Sequence, residues 1–168
     1  MNDSSPSRAI APEQATTAQR VLAIHVTRIG DTILGTPALR AIAAHFPAAR
    51  LTALGHPKRV EVLEGLPYLA KVGAIDKRRA LARGWKDVLT GPEYDWAFVW
   101  GEDAALVRYA LRKARHVVAP RQADPALNAR LFAAAVLPPR DAVHALAWTL
   151  ALPAAAGIGA RGLALDVA

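Results

Sequence analysis

Asp31 stands where the stretch AIHVTRIGDTILGTPALRAI (residues 23–42) turns from an apolar run into a helical pattern. A carboxylate at such a junction can take a proton from an incoming hydroxyl. From position alone it can equally cap the following helix. Arg28, Gly30 and Thr32 flank it as candidate substrate contacts. Arg28 could neutralise an acidic ligand or a charge developing on one, or it could be an exposed arginine. Gly30 could let a ligand approach the backbone, or could mark a turn with positive φ. His25 lies inside the preceding strand and reads as a packed histidine rather than a base.

The two glycines, Gly30 and Gly35, have the spacing of a Walker A loop, but Thr36-Pro37 stand where lysine and a hydroxyl residue must meet phosphate and Mg²⁺, which excludes a P-loop. A dinucleotide fingerprint is excluded as well. It needs three glycines and an acid after the second strand, where this chain has His56-Pro57.

The elements that would position these residues alternate. Residues 20–26, 49–56, 70–75, 94–100 and 115–120 read as strands, several apolar on both faces as buried parallel strands are. Helices are expected at 36–46, with Thr36 as N-cap and Pro37 following, and near 57–65, 78–89, 103–113, 125–136 and 141–155. The fold class is therefore α/β, a single Rossmann-like domain with a mostly parallel sheet and right-handed crossovers. Its carboxyl edge is where open sheets of this kind build their ligand crevice. Residues 1–19 are polar, lack an apolar signal-peptide core and read as a disordered leader; 20–160 form the domain. The uncharged run 142–160 is interrupted by Pro153, Gly157 and Gly159, so it reads as a buried helix and not a membrane span.

In this 168-residue chain 53% of residues are apolar, enough for one core, and the absence of cysteine removes disulfides, thiolate metal sites and a cysteine nucleophile. A cytoplasmic location is the default expectation. The net charge of +7 suits an anionic partner. In DKRRALARGWKDVL, Arg79, Arg83 and Lys86 share one helical face while Leu81, Trp85 and Val88 share another. A second cluster, Arg108, Arg112, Lys113 and Arg115, could face phospholipid headgroups or a phosphorylated acceptor. No nucleic-acid partner is expected, since neither cluster is interleaved with aromatics in a recognisable motif.

RVLAIHVTRIGDTILGTPALRAI resembles the opening of the lipopolysaccharide heptosyltransferases, glycosyltransferase family 9, in its Gly-Asp turn after strand one and its Thr-Pro-Ala-Leu-Arg helix start. The likeness continues more weakly through AHFPAARLTALGHPKRVEVLEGLPYLAKV, GPEYDWAFVW and HALAWTLALPAAAGI. It implies the N-terminal, acceptor-side half of an inverting GT-B enzyme with Asp31 as catalytic base and no metal. Lys77, Arg78 and Arg79 then become candidates for meeting an anionic sugar or lipid A-core acceptor, with peripheral contact at the inner face of the inner membrane. The resemblance also implies that an ADP-heptose-like nucleotide-sugar is held by an absent C-terminal domain, toward which 161–168 would begin the linker. Such a chain would be inactive alone. Val99 and Trp100 replace the polar residues common in the family after its Tyr-Asp strand, and Trp100 reads as core or as a sugar-stacking ring. The alternative class is a non-catalytic module that binds anionic glycolipid or a membrane surface.

Overall fold

The computed structural model describes residues 8–82 and 91–167. Six strands form one parallel sheet: β1 (Arg20–His25), β2 (Arg50–Gly55), β3 (Lys71–Ala74), β4 (Tyr94–Trp100), β5 (Ala114–Pro120) and β6 (Ala133–Ala135), in the order β3-β2-β1-β4-β5-β6. The helices are α1 (Pro12–Thr17), α2 (Ile29–Leu34), α3 (Thr36–His45), α4 (Lys77–Leu81), α5 (Ala104–Lys113), α6 (Pro125–Asn128) and α7 (Ala145–Ala154), with a 3-10 turn at Val60–Leu63. The expected α/β class and parallel sheet are the observed ones. β1 lies between β2 and β4, so the chain reverses its direction of growth across the sheet beside β1, and the crevice opens there.

Alternation along each strand feeds two apolar layers. Val21, Ala23, Trp96, Phe98 and Trp100 point toward α3 and α7, where Ala38, Ile42, Trp148 and Leu152 meet them. Leu22, Ile24, Ala97 and Val99 point the other way, onto Ile75, Ala80, Leu106, Val107 and Ala110 of the α4 and α5 side. Every residue of β4 from Trp96 onward is buried, as a central parallel strand requires. Its Asp95 carboxylate accepts hydrogen bonds from the backbone N–H groups of Gln19 (2.8 Å) and Arg20 (3.0 Å), fixing the start of β1.

Several expectations need correction. Residues 8–19 are not a disordered leader: Pro12–Thr17 is helical, Ile10, Ala15 and Ala18 are buried, and the Ile10 N–H donates to the Ala156 carbonyl. Residues 1–7 lie outside the described residues. The expected helix at 57–65 is only the 3-10 turn. The expected helix at 125–136 stops at Asn128 and gives way to the edge strand β6. Thr36 is not a cap: Gly35 holds the N-cap position, and the buried Thr36 hydroxyl donates to the Ile33 carbonyl (2.8 Å). Within the run from Ala142, Ala145–Ala154 is helical, followed by Gly157 at φ 82°. Of the amphipathic segment after Asp76 only α4 is described. There Ala80 is buried while Leu81, assigned to the apolar face, is 63% exposed; Arg83, Trp85, Lys86 and Val88 lie outside the described residues.

Candidate functional site at the carboxyl edge of the sheet

β1 delivers His25 to the sheet edge, and the loop 26–28 leads into α2, whose first turn carries Asp31. Neighbouring aspartates at this edge serve the backbone. Asp76 accepts from the Arg79 N–H (2.8 Å), Asp103 from the Ala105 N–H (3.0 Å) and Asp124 from the Ala126 N–H (2.9 Å), each capping the helix that follows its strand. Asp31 differs. It sits inside α2, Arg28 occupies the N-cap without a side-chain cap bond, and the Asp31 carboxylate accepts from the Thr27 hydroxyl (3.0 Å). The capping alternative for Asp31 therefore fails.

The Asp31 side chain lines a cavity of about 220 Å³ together with His25, Arg140, Ala145, Trp148 and Thr149. α7 closes it, and polar contacts fix that helix to the sheet. The Trp100 indole N–H donates to the Thr149 carbonyl (2.8 Å), and the Thr149 hydroxyl contacts the carbonyls of Leu34 (3.1 Å) and Leu146 (2.8 Å). Trp100 is thus a core residue that anchors the wall, and not an exposed stacking platform. The Arg140 guanidinium lies 4.1 Å from the Trp148 ring centroid, a cation over an aromatic face. His25 is pushed down to about pH 4 by burial; the Asp31 charge opposes that shift and the Arg140 charge adds to it. Its imidazole is therefore neutral at pH 7.

The other sequence candidates divide. Arg28 is exposed at the start of α2. Gly30 is exposed too, without positive φ, and a β-carbon there would meet nothing within 4 Å, which removes the turn explanation. Thr32 is buried with its hydroxyl on the Arg28 carbonyl (2.9 Å), so it braces the helix and does not face a ligand. Lys77, Arg78 and Arg79 are exposed on α4, whose buried Ala80 joins the opposite apolar layer; Lys77 pairs with Asp103 (3.0 Å) and Arg79 reaches the Ala74 carbonyl (3.4 Å). They do not line the Asp31 cavity.

The second basic cluster is engaged within the fold. Arg108 pairs with Asp124, Lys113 with Glu93 and Arg115 with Asp95, while Arg112 donates to the Ala80 carbonyl (2.7 Å). Among the described residues no helix is long and apolar enough to cross a membrane.

The sequence does not single out Arg140, Trp148 and Thr149, because Ala133–Ala135 has the pattern of a helix end. Once Ala133–Ala135 is a strand, the segment after it must rise at the same carboxyl edge as Asp31, which is where Arg140 stands.

No family model matches the chain, and no curated protein matches it. Solved structures do. A family 9 glycosyl transferase from Veillonella parvula DSM 2008 is similar over 91% of this chain and 46% of its own, with 15% identity and a TM-score of 0.69. The E. coli heptosyltransferase WaaC with ADP is similar over 88% of this chain and 50% of its own (15% identity, TM-score 0.66). E. coli ADP-heptose lps heptosyltransferase II gives 89% and 47% (18% identity, TM-score 0.65). The fold is that of glycosyltransferases of this kind, and the chain spans about half the length of these structures.

Proposed function

We propose that the chain is the acceptor-binding lobe of an inverting, heptosyltransferase-like glycosyltransferase, with Asp31 as general base. The observation that carries the reading is the Asp31 carboxylate, unused as a cap and lining a cavity at the carboxyl edge beside β1. An acceptor hydroxyl entering the cavity would donate to Asp31. As its oxygen attacks the anomeric carbon opposite the departing nucleotide, the new C–O bond forms, the bond to the nucleotide breaks, and the proton passes to the carboxylate.

Trp148 lines the cavity with Arg140 over its ring, and Arg140 would offer a cation to an acidic substituent. Arg28, Lys77, Arg78 and Arg79 would act farther out, by charge, on an anionic core acceptor. A donor of the ADP-heptose type would be held by a second α/β lobe; the support is that the similar solved chains are about twice as long and that one of them is described with ADP. The proposal extends to lipopolysaccharide core synthesis at the cytoplasmic side, with the same resemblance as its support.

The test supplies a complementing donor lobe and an acceptor. Asp31→Asn should leave the thermal melt in place and lower transfer by about two to four orders of magnitude, the worth of a positioned general base. Near-normal turnover in that variant would remove Asp31 from the mechanism.

A further inference from the structure

His25 is only 8% exposed, it lines the Asp31 cavity, and neither of its ring nitrogens has a hydrogen-bond partner among the described residues. Neither nitrogen is sealed from solvent. The fold nevertheless holds the ring in place. The Trp100 ring packs against it with centroids 5.4 Å apart, and the Nδ1–Cε1 edge rests over Gly35, where a β-carbon would come within 2.9 Å of Nδ1. Gly35 has an ordinary helical φ of −81°, so its conformation does not call for glycine; the imidazole edge, and next to it the Thr32 carbonyl at 3.2 Å, are what an alanine would meet. Nε2 lies farther from Gly35 than that edge does.

We infer that His25 Nε2–H donates a hydrogen bond to the same sugar hydroxyl whose proton Asp31 accepts, which makes His25 a binding and positioning residue of the cavity. The inference rests on the reading of this cavity as a sugar-acceptor site. The pairing follows from what each group can do. A hydroxyl donates one hydrogen bond and accepts others, and a carboxylate can only accept, so the second partner must donate. A cationic donor would compete with the hydroxyl by pairing with the carboxylate. The buried imidazole is neutral and donates from one nitrogen alone, which leaves the hydroxyl proton directed at Asp31.

The experiment is a titration of the ¹⁵N-labelled 168-residue protein with methyl α-glucoside and, separately, glucuronate at millimolar concentration. It follows the Trp148 indole and the His25 ring nitrogens together. Before sugar is added, His25 should show the Nε2–H tautomer; on binding, both Trp148 and His25 Nε2 should shift with one dissociation constant. His25→Leu should weaken binding about tenfold. His25→Gln, whose amide can donate from a similar place, should restore most of it.

A Trp148 shift with an unmoved His25, or full affinity in His25→Leu, would overturn the His25 assignment while leaving the cavity a sugar site. No response of Trp148 to either sugar would reject the site itself, and the inference with it. If His25→Leu does not fold, the tautomer and shift of the wild-type ring decide alone.

Discussion

At the scale of single residues, the two loop glycines have opposite meanings. At Gly35 an added methyl meets His25 Nδ1 at 2.9 Å and the Thr32 carbonyl at 3.2 Å, and Trp100 packs against the same ring. Gly35→Ala should therefore cost about 1–2 kcal/mol in urea melts despite alanine's better helix propensity. Gly30→Ala meets nothing and should be neutral or stabilising by up to about 1 kcal/mol, so any loss of acceptor binding there would report a ligand near the backbone. His25 carries a pH signature. Its native pKa of about 4 lies below the ordinary 6.5, so between those values the unfolded chain holds a proton that the native chain lacks. Stability should fall as pH drops through that window, by about 3 kcal/mol in full. His45 and His116, both pushed down chiefly by burial and further by nearby arginines, act in the same direction. Urea melts at pH 7 and pH 4.5 should show a smaller loss for His25→Gln than for wild type; equal losses would mean that the histidine is not buried in its neutral form. Sequence alone made Asp31 visible through its motif. It could not reveal His25 as a cavity wall, because a histidine inside an apolar strand looks the same whether it faces a core or a pocket.

Among the elements, α3 performs a task that no pattern announced. Arg40 turns its guanidinium onto the carbonyls of Arg161 (3.2 Å) and Ala164 (2.8 Å) and pairs with Asp166, whose carboxylate also accepts from the Tyr68 hydroxyl (2.9 Å) and whose N–H donates to the Thr36 hydroxyl (2.9 Å). The tail 161–167 is thereby laid across the N-terminal half of α3, with Leu163, Leu165 and Val167 left outward. Arg40→Ala should free that tail, seen as faster tryptic cleavage at Arg161, with a stability loss of about 1–3 kcal/mol because several hydrogen bonds to one charged group go together. An unchanged cleavage pattern would show that the tail is held by other contacts. α2, six residues long, is not expected from the pattern, but the long periodic segments were legible: β1, α3, β4 and α5 fall close to where apolar patterning puts them, and Asp103 caps α5 as its residue type suggests. β6 was not. Three alanines favour helix by propensity, and only their pairing with Val118, Ala119 and Pro120 of β5 makes them a strand. Leu81 misled for a related reason: the segment from Asp76 was read as one continuous helix, and α4 ends at Leu81 with Ala80 facing inward.

At the scale of the whole molecule, β1 carries its site on one side of the sheet edge, where α7 covers it, while α4 and its basic residues belong to the other side. That separation suits a lobe that grips an extended anionic acceptor by outlying charge and presents one hydroxyl to Asp31. Under the proposed reading the phosphate-binding task falls to another lobe, since the loop after β1 has neither the Walker lysine nor the third glycine needed to cradle phosphates, and His56, not an acid for a ribose, follows β2. The 168-residue protein should therefore bind nucleotide-sugars negligibly, although two complete apolar layers around six strands should let it melt in one cooperative transition. Calorimetric titration with ADP-heptose should give no saturable heat. With a donor lobe added in trans, the same titration should become saturable, and transfer should appear only in the mixture. Micromolar binding to the protein by itself, or transfer without a second chain, would mean that the donor site lies within these residues and that the division into acceptor and donor lobes is wrong.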